Sequence, residues 1–304
     1  MSIAAAAAAL GVVELPQAYA QVEGKPKPAK GPAGRPVWTF EISLAQWSLH
    51  REIQSKALDP LDFPRVAKRD FGIGAVEYVN QFYMDKAWDT AYFKGLRSRC
   101  DGEGVKSLLI MCDHKEALGD PDAAKRKAAV DVHKPWLETA AILGCHSIRV
   151  NLAGSGTPEE HAKQAAEGLR ALCELADAMG LFVIVENHGG NSSHGDWLAG
   201  VMRAVEHPRV GTLPDFGNFY EYDRYQGVRD MLPFAKGVSA KSYFFDDTGE
   251  ETTINYWRMV KLVRAGDYVG HIGIEYEGDK MGEREGIAAT KRLLEEIRAA
   301  FAGR

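Results

Sequence analysis

Cysteine is scarce: only Cys100, Cys112, Cys145 and Cys173 occur, and no two stand in a CxxC spacing. That excludes a zinc ribbon or a redox dithiol, and the four are expected as buried free thiols in a chain long enough to build a core without disulfides. Long apolar runs are also missing. None reaches the roughly 18 to 20 residues that a membrane-spanning helix needs, so no membrane insertion is expected. Positive charge is not in excess, because 37 Lys and Arg face 42 Asp and Glu for a net charge of −5. A chain without a basic face cannot neutralise a phosphate backbone, so no nucleic-acid partner is expected. Neither a G-x-G-x-x-G after the first strand nor a P-loop is present, and nucleotide sites lose their usual support. What remains is an ordinary globular composition, 45% hydrophobic and 26% charged, suited to a small polar ligand.

The first 36 residues read as something other than the fold. Residues 3–13 are uniformly apolar and include six consecutive alanines; Ala18-Tyr19-Ala20 then has the small-x-small form of a signal-peptidase site. The reading is an export leader and a periplasmic or secreted protein, although no basic segment precedes the apolar stretch. Residues 24–36 hold four Pro, three Gly and four basic residues, a disordered tether that cannot bury a core.

From Val37 onward, strand and helix signals alternate. Short β-rich runs bounded by Gly, Asp or Asn fall at 40–44, 75–79, 107–111, 147–151, 181–186, 210–214, 237–242 and 272–276. Amphipathic segments separate them. The clearest opens with the capping box Thr157-Pro158-Glu159-Glu160 and carries Ala165, Leu169, Leu172, Ala176 and Met179 as one apolar stripe before Gly180 ends it. Eight βα units over 37–304 predict an α/β protein with a single (β/α)8 TIM barrel; a doubly wound open sheet would give a similar pattern.

In a barrel the active site lies at the carboxyl ends of the strands, so charged residues closing apolar strands are the first candidates. Three carboxylates do so. Strand five runs 181–185 into Glu186-Asn187-His188, strand six ends in Asp215-Phe216-Gly217-Asn218, and strand eight reads Gly273-Ile274-Glu275-Tyr276-Glu277-Gly278. Unpaired carboxylates beside apolar residues are costly, so a cation or donors must lie between them. An oxygen-rich set suits one Mn²⁺, Mg²⁺ or Co²⁺, with Zn²⁺ also admissible. The competing reading is a buried ion-pair network with Lys241 or Arg149.

With these motifs the chain resembles the sugar phosphate isomerase/epimerase superfamily, the xylose isomerase-like TIM barrels, over essentially all of 37–304. The resemblance rests on Val185-Glu186-Asn187-His188, Asp215-Phe216-Gly217-Asn218, Ser239-Ala240-Lys241 and Ile274-Glu275-Tyr276-Glu277-Gly278. It implies that Glu186, Asp215 and Glu275 bind one divalent metal, and that Glu186 and Glu275 also act as acid and base on a carbon beside a carbonyl. It further implies dimers or tetramers. Strand seven departs from the pattern, because Ser239 stands where a His or Gln ligand is usual. Alternation turns Ser239 and Lys241 to the same interior side, and Lys241 is read as a catalytic cation. Its alternative role is to replace the metal in a structural ion cluster.

Trp47, Glu77, His114, Arg149, Asn151, His188 and Asn218 are read as the surrounding sugar pocket, an apolar face with several donors and acceptors. His188 and His194 lack the spacing of a zinc pair. The expected activity is metal-dependent isomerisation or epimerisation of a sugar through an enediolate. A lyase or dehydratase of keto-sugars or keto-glycosides would use the same chemistry. From other classes come a non-catalytic sugar-binding barrel, which Ser239 favours, and an abasic-site endonuclease, which the acidic balance disfavours.

Overall fold

A computed structural model describes residues 29–30 and 36–302. The leader and most of the tether lie outside the described residues; Ala29–Lys30 pairs antiparallel with Pro36–Val37. The barrel strands are β1 Glu41–Ala45, β2 Ala75–Val79, β3 Lys106–Cys112, β4 Ser147–Val150, β5 Phe182–Glu186, β6 Val210–Leu213, β7 Val238–Ser242 and β8 His271–Tyr276. Each expected strand is there, with ends displaced by at most one residue. The helices that follow them are α1 Phe63–Phe71, α2 Thr90–Glu103, α3 Ala123–Leu143, α4 Pro158–Asp177, α5 Gly195–Val205, α6 Arg224–Met231, α7 Tyr256–Ala265 and α8 Glu283–Ala302.

All eight strands are parallel, in the order β6-β5-β4-β3-β2-β1-β8-β7. Isolated bridges Thr212 to Ala235 and Asp215 to Ser239 close the ring between β6 and β7. The ladder is thin there because Pro214 has no N–H to give. Its carbonyl accepts from Ser239 N at 2.9 Å, and Phe216 N donates to the Ser239 carbonyl at 3.1 Å. The fold is a closed (β/α)8 TIM barrel, and the open-sheet alternative falls.

Strand alternation divides the core. Ile42, Leu44, Val76, Ile148, Val183, Val185, Ala240, Ile272 and Ile274 face the helices in one large apolar cluster. Ala45, Val79, Leu109, Met111, Ile184 and Leu213 form a second, inside the barrel. The capping box at Thr157 and Glu160 forms as read, with Pro158 in the first turn. All four cysteines are free and buried. No helix among the described residues is long and apolar enough to cross a membrane.

Candidate active site

At the carboxyl-terminal mouth the inward positions change character around the ring. Strands β1 to β3 present Ala45, Val79 and Met111, whereas β4 to β8 present Arg149, Glu186, Ser239, Lys241 and Glu275, with Asp215 just beyond β6. All six polar groups are buried. Glu186, Asp215 and Glu275 each offer an oxygen within 4.8 Å of the other two, so the three strand ends do converge.

Each carboxyl has a different set of partners. Asp215 Oδ1 accepts from the backbone N–H groups of Gly217 and Asn218, both at 2.8 Å, while Oδ2 lies 2.7 Å from the Ser239 hydroxyl. Asn187 holds that strand end through two hydrogen bonds to the Asp215 backbone. Glu275 Oε2 is 2.9 Å from the same Ser239 hydroxyl, and Oε1 is 2.9 Å from Lys241 Nζ, which also meets Glu277 at 3.2 Å. Glu186 Oε1 accepts from Asn218 Nδ2 at 3.2 Å, and Arg149 Nε is 2.7 Å from Oε2.

Burial pushes the Glu186 and Asp215 carboxyls up to about 7, against the pull of Arg149 on the first and Lys241 on the second. Burial acts on Glu275 too, but Lys241 outweighs it and leaves this carboxyl below its ordinary range. Lys241 is buried yet kept charged by Glu275, Asp215 and Glu277. The expected ion pairs with Lys241 and Arg149 therefore exist, and they are made by Glu275 and Glu186 of the triad itself.

Two observations test whether this set suits a dication. Glu186 Oε2 is buried without a hydrogen bond among the described residues, although Arg149 Nε lies 2.7 Å away. Ser239 has one hydroxyl proton for two carboxyl oxygens, so a further proton or a cation must lie between Asp215 and Glu275. Three carboxylate oxygens with a hydroxyl beside them are a hard-cation donor set and fit one Mg²⁺ or Mn²⁺.

Above the triad is a cavity of about 320 Å³ lined by Trp47, Asn151, His188 and Glu275 among the expected residues, and by Arg149. Trp47 stacks on His50 and Phe82, with centroids 4.8 and 5.9 Å apart, to form an apolar wall. Asn151 and Arg149 both reach Asp113 Oδ1, at 2.6 and 2.8 Å. Burial first, then Arg149, lowers the His188 imidazole below its ordinary value, which favours the neutral ring.

Three expected pocket residues lie elsewhere. Glu77 points inward but sits two residues before the end of β2, beneath the mouth, where it accepts from Ser43 Oγ at 2.6 Å. His114 turns outward, its ring 4.7 Å from that of His133 and near Asn80 Nδ2 at 3.4 Å. Asn218 is buried behind the carboxyls as a donor to Glu186 and Asp215. Asp113, Gln81 and Glu277 line the cavity unforeseen. Asp113 directly follows β3 and so carried the same signal as the triad, a charged residue closing an apolar strand.

The fold is that of a known class. The chain belongs to the xylose isomerase-like TIM barrel family, whose model matches residues 66–299. No curated protein matches the chain by sequence. Among solved structures it is similar to 3-keto-D-glucoside 4-epimerase from E. coli, at 15% identity and a TM-score of 0.66 over 84% of this chain and 99% of that one. It is similar to the probable 3-DHS dehydratase of petrobactin synthesis from Bacillus anthracis, at 14% and 0.63 over 84% and 99%. A xylose isomerase-like TIM barrel protein from Mycobacterium smegmatis, in complex with magnesium, aligns at 15% and 0.63 over 87% and 97%. At such identities these likenesses establish the fold.

Proposed function

We propose that the protein is a divalent-metal-dependent isomerase or epimerase of an unphosphorylated sugar, acting by proton abstraction beside a carbonyl. The observation that carries this reading is the convergence of Glu186, Asp215 and Glu275 within 4.8 Å, beside a cavity that Glu275 lines. These three residues would hold the metal, which when bound supplies a Lewis acid for the carbonyl and its neighbouring hydroxyl.

The chain's own groups divide the remaining work. Glu275, kept ionised by Lys241 at 2.9 Å, is the base that removes the proton. Glu186 lies close to neutrality and returns a proton to the other face of the carbon. Lys241 stabilises the negative charge that develops on the substrate oxygen. Trp47 gives the sugar ring an apolar platform, while Asn151, Arg149 and His188 bind its hydroxyls. Among the described residues no phosphate-binding cation lines the cavity beyond Arg149, which Asp113 and Glu186 already engage.

A second reading, elimination from a keto-sugar or keto-glycoside, uses the same base and cation and draws support from the likeness to the dehydratase. Export is the proposal for location, since residues 3–20 carry the leader pattern. Metal analysis followed by NMR in D₂O with a ketose panel tests the function. Isomerase chemistry puts solvent deuterium on one carbon of an otherwise intact sugar, and elimination releases a substituent. A protein that binds sugars without either outcome is the non-catalytic barrel.

A further inference from the structure

The opposite, amino-terminal end of the barrel contains a larger cavity, of about 520 Å³, within the usual range for small-molecule sites. Its origin is visible in the sequence. Barrel interiors are normally filled by inward side chains, but at this end β6 and β8 supply Gly211 and Gly273, and Gly237 stands just before β7. A Cβ at Gly273 would lie 2.4 Å from Glu77 Oε1, and one at Gly211 would lie 2.7 Å from Lys236 Cγ. The glycines therefore make room for these two charged side chains.

Glu77 forms the cavity floor and is only 3% exposed. Ser43 serves its Oε1, whereas Oε2 has no partner among the described residues. A buried, unpartnered carboxyl oxygen is expensive. At the mouth stand Lys236, His146 and His271. Lys236 Nζ lies 4.8 Å over the Phe182 ring and pairs with no carboxylate among the described residues. His146 uses Nδ1 on Ser147 Oγ at 2.6 Å, leaving Nε2 available. Between floor and mouth the walls are apolar, with Leu108 and Phe182 prominent. The cavity thus has one hydrogen-bonding pole inside, an apolar waist and a rim that sets the Lys236 ammonium and two neutral imidazoles against the exposed carboxylate of Asp267.

We propose that this cavity is a second binding site, for a small organic anion carrying a hydroxyl at its far end. The anionic group sits at Lys236 beside His146 and His271, and the hydroxyl meets the free oxygen of Glu77. None of these residues belongs to the acidic triad.

Calorimetric titration of the full chain with 6-hydroxyhexanoate, hexanoate and 1,6-hexanediol, with the imidazole NMR signals of His146 and His271 followed in parallel, tests this. The hydroxy acid should bind saturably and shift both imidazoles. Hexanoate and the diol, each missing one pole, should bind about tenfold more weakly, as should the hydroxy acid to Lys236→Met. Lys236→Met changes an exposed rim residue and should leave the fold and the metal affinity of the triad intact. Absence of saturable binding would overturn the proposal, and so would binding indifferent to Lys236→Met. Equal binding of hexanoate would remove the role of Glu77. Loss of binding in Glu275→Gln would place the ligand at the other mouth.

Discussion

At the carboxyl-terminal mouth three buried carboxyls stand among Lys241, Arg149 and the Ser239 hydroxyl; near the amino-terminal end Glu77 stands with the Ser43 hydroxyl alone. Burial raises Glu186 and Glu77 alike, each to about 7. What differs is the company. Three converging carboxyls gain by taking up a dication, which converts mutual repulsion into shared attraction. A lone carboxyl has no such outlet and stays protonated or finds a hydrogen-bonding ligand. Desolvation alone therefore does not define the reactive end of this barrel; the convergence of several strand ends does.

The largest effect should come from removing proton transfer at the acidic mouth. Glu275→Gln and Glu186→Gln, each assayed at saturating metal, should lower kcat by about 10²- to 10⁴-fold while leaving the circular dichroism spectrum unchanged. Near-normal turnover by either would break the assignment. Lys241→Met should retain metal and lower kcat by about 10²-fold or more, the scale of losing one oxyanion donor. If the variant instead loses metal and unfolds, Lys241 is the centre of a structural ion cluster, since breaking a buried pair costs about 3 to 5 kcal/mol.

The two ends should also separate by pH. An acid with a raised folded pKa keeps a proton that the unfolded chain has released, so its contribution to stability is full below the unfolded value of 4.5 and declines as pH climbs towards 7. Denaturant unfolding of Glu77→Gln should flatten this decline by up to about 3 kcal/mol, with little change at pH 4. Added Mn²⁺ should cancel the corresponding decline from Asp215, because a bound dication favours its ionised form. Most of the Glu77 part should remain, because burial is its first cause and the charges of Glu275 and Glu186 add less. A metal-induced loss of the Glu77 slope would show that the ends are linked. Smallest of all, Thr157→Ala should remove the α4 cap at a cost of about 1 kcal/mol, read from the unfolding midpoint, without altering either slope.

The strands and the triad were legible in the sequence because each rests on a local rule: β-rich runs bounded by turns, and carboxylates that end such runs. Side-chain parity was legible as well, and it placed Ser239 and Lys241 inside. Depth along the barrel was not. Glu77 obeys the same parity as Glu186 but lies two residues before its strand ends, roughly 7 Å lower at 3.3 Å per residue, so it belongs to the other cavity. His114 fails on parity, one residue past Asp113. Asn218 was read as a pocket group, yet the turn after Asp215 folds its amide and backbone back onto the carboxyls. The closure between β6 and β7, on which the Asp215 to Ser239 contact depends, is long-range and has no local signature.

Crystals soaked in Mn²⁺ and measured at the manganese absorption edge test the central claim most directly. One anomalous peak should lie among Glu186, Asp215 and Glu275, within coordination distance of all three, with none at Glu77. A fully ordered mouth without such a peak, with Lys241 and Arg149 still closed on the carboxylates, would contradict it.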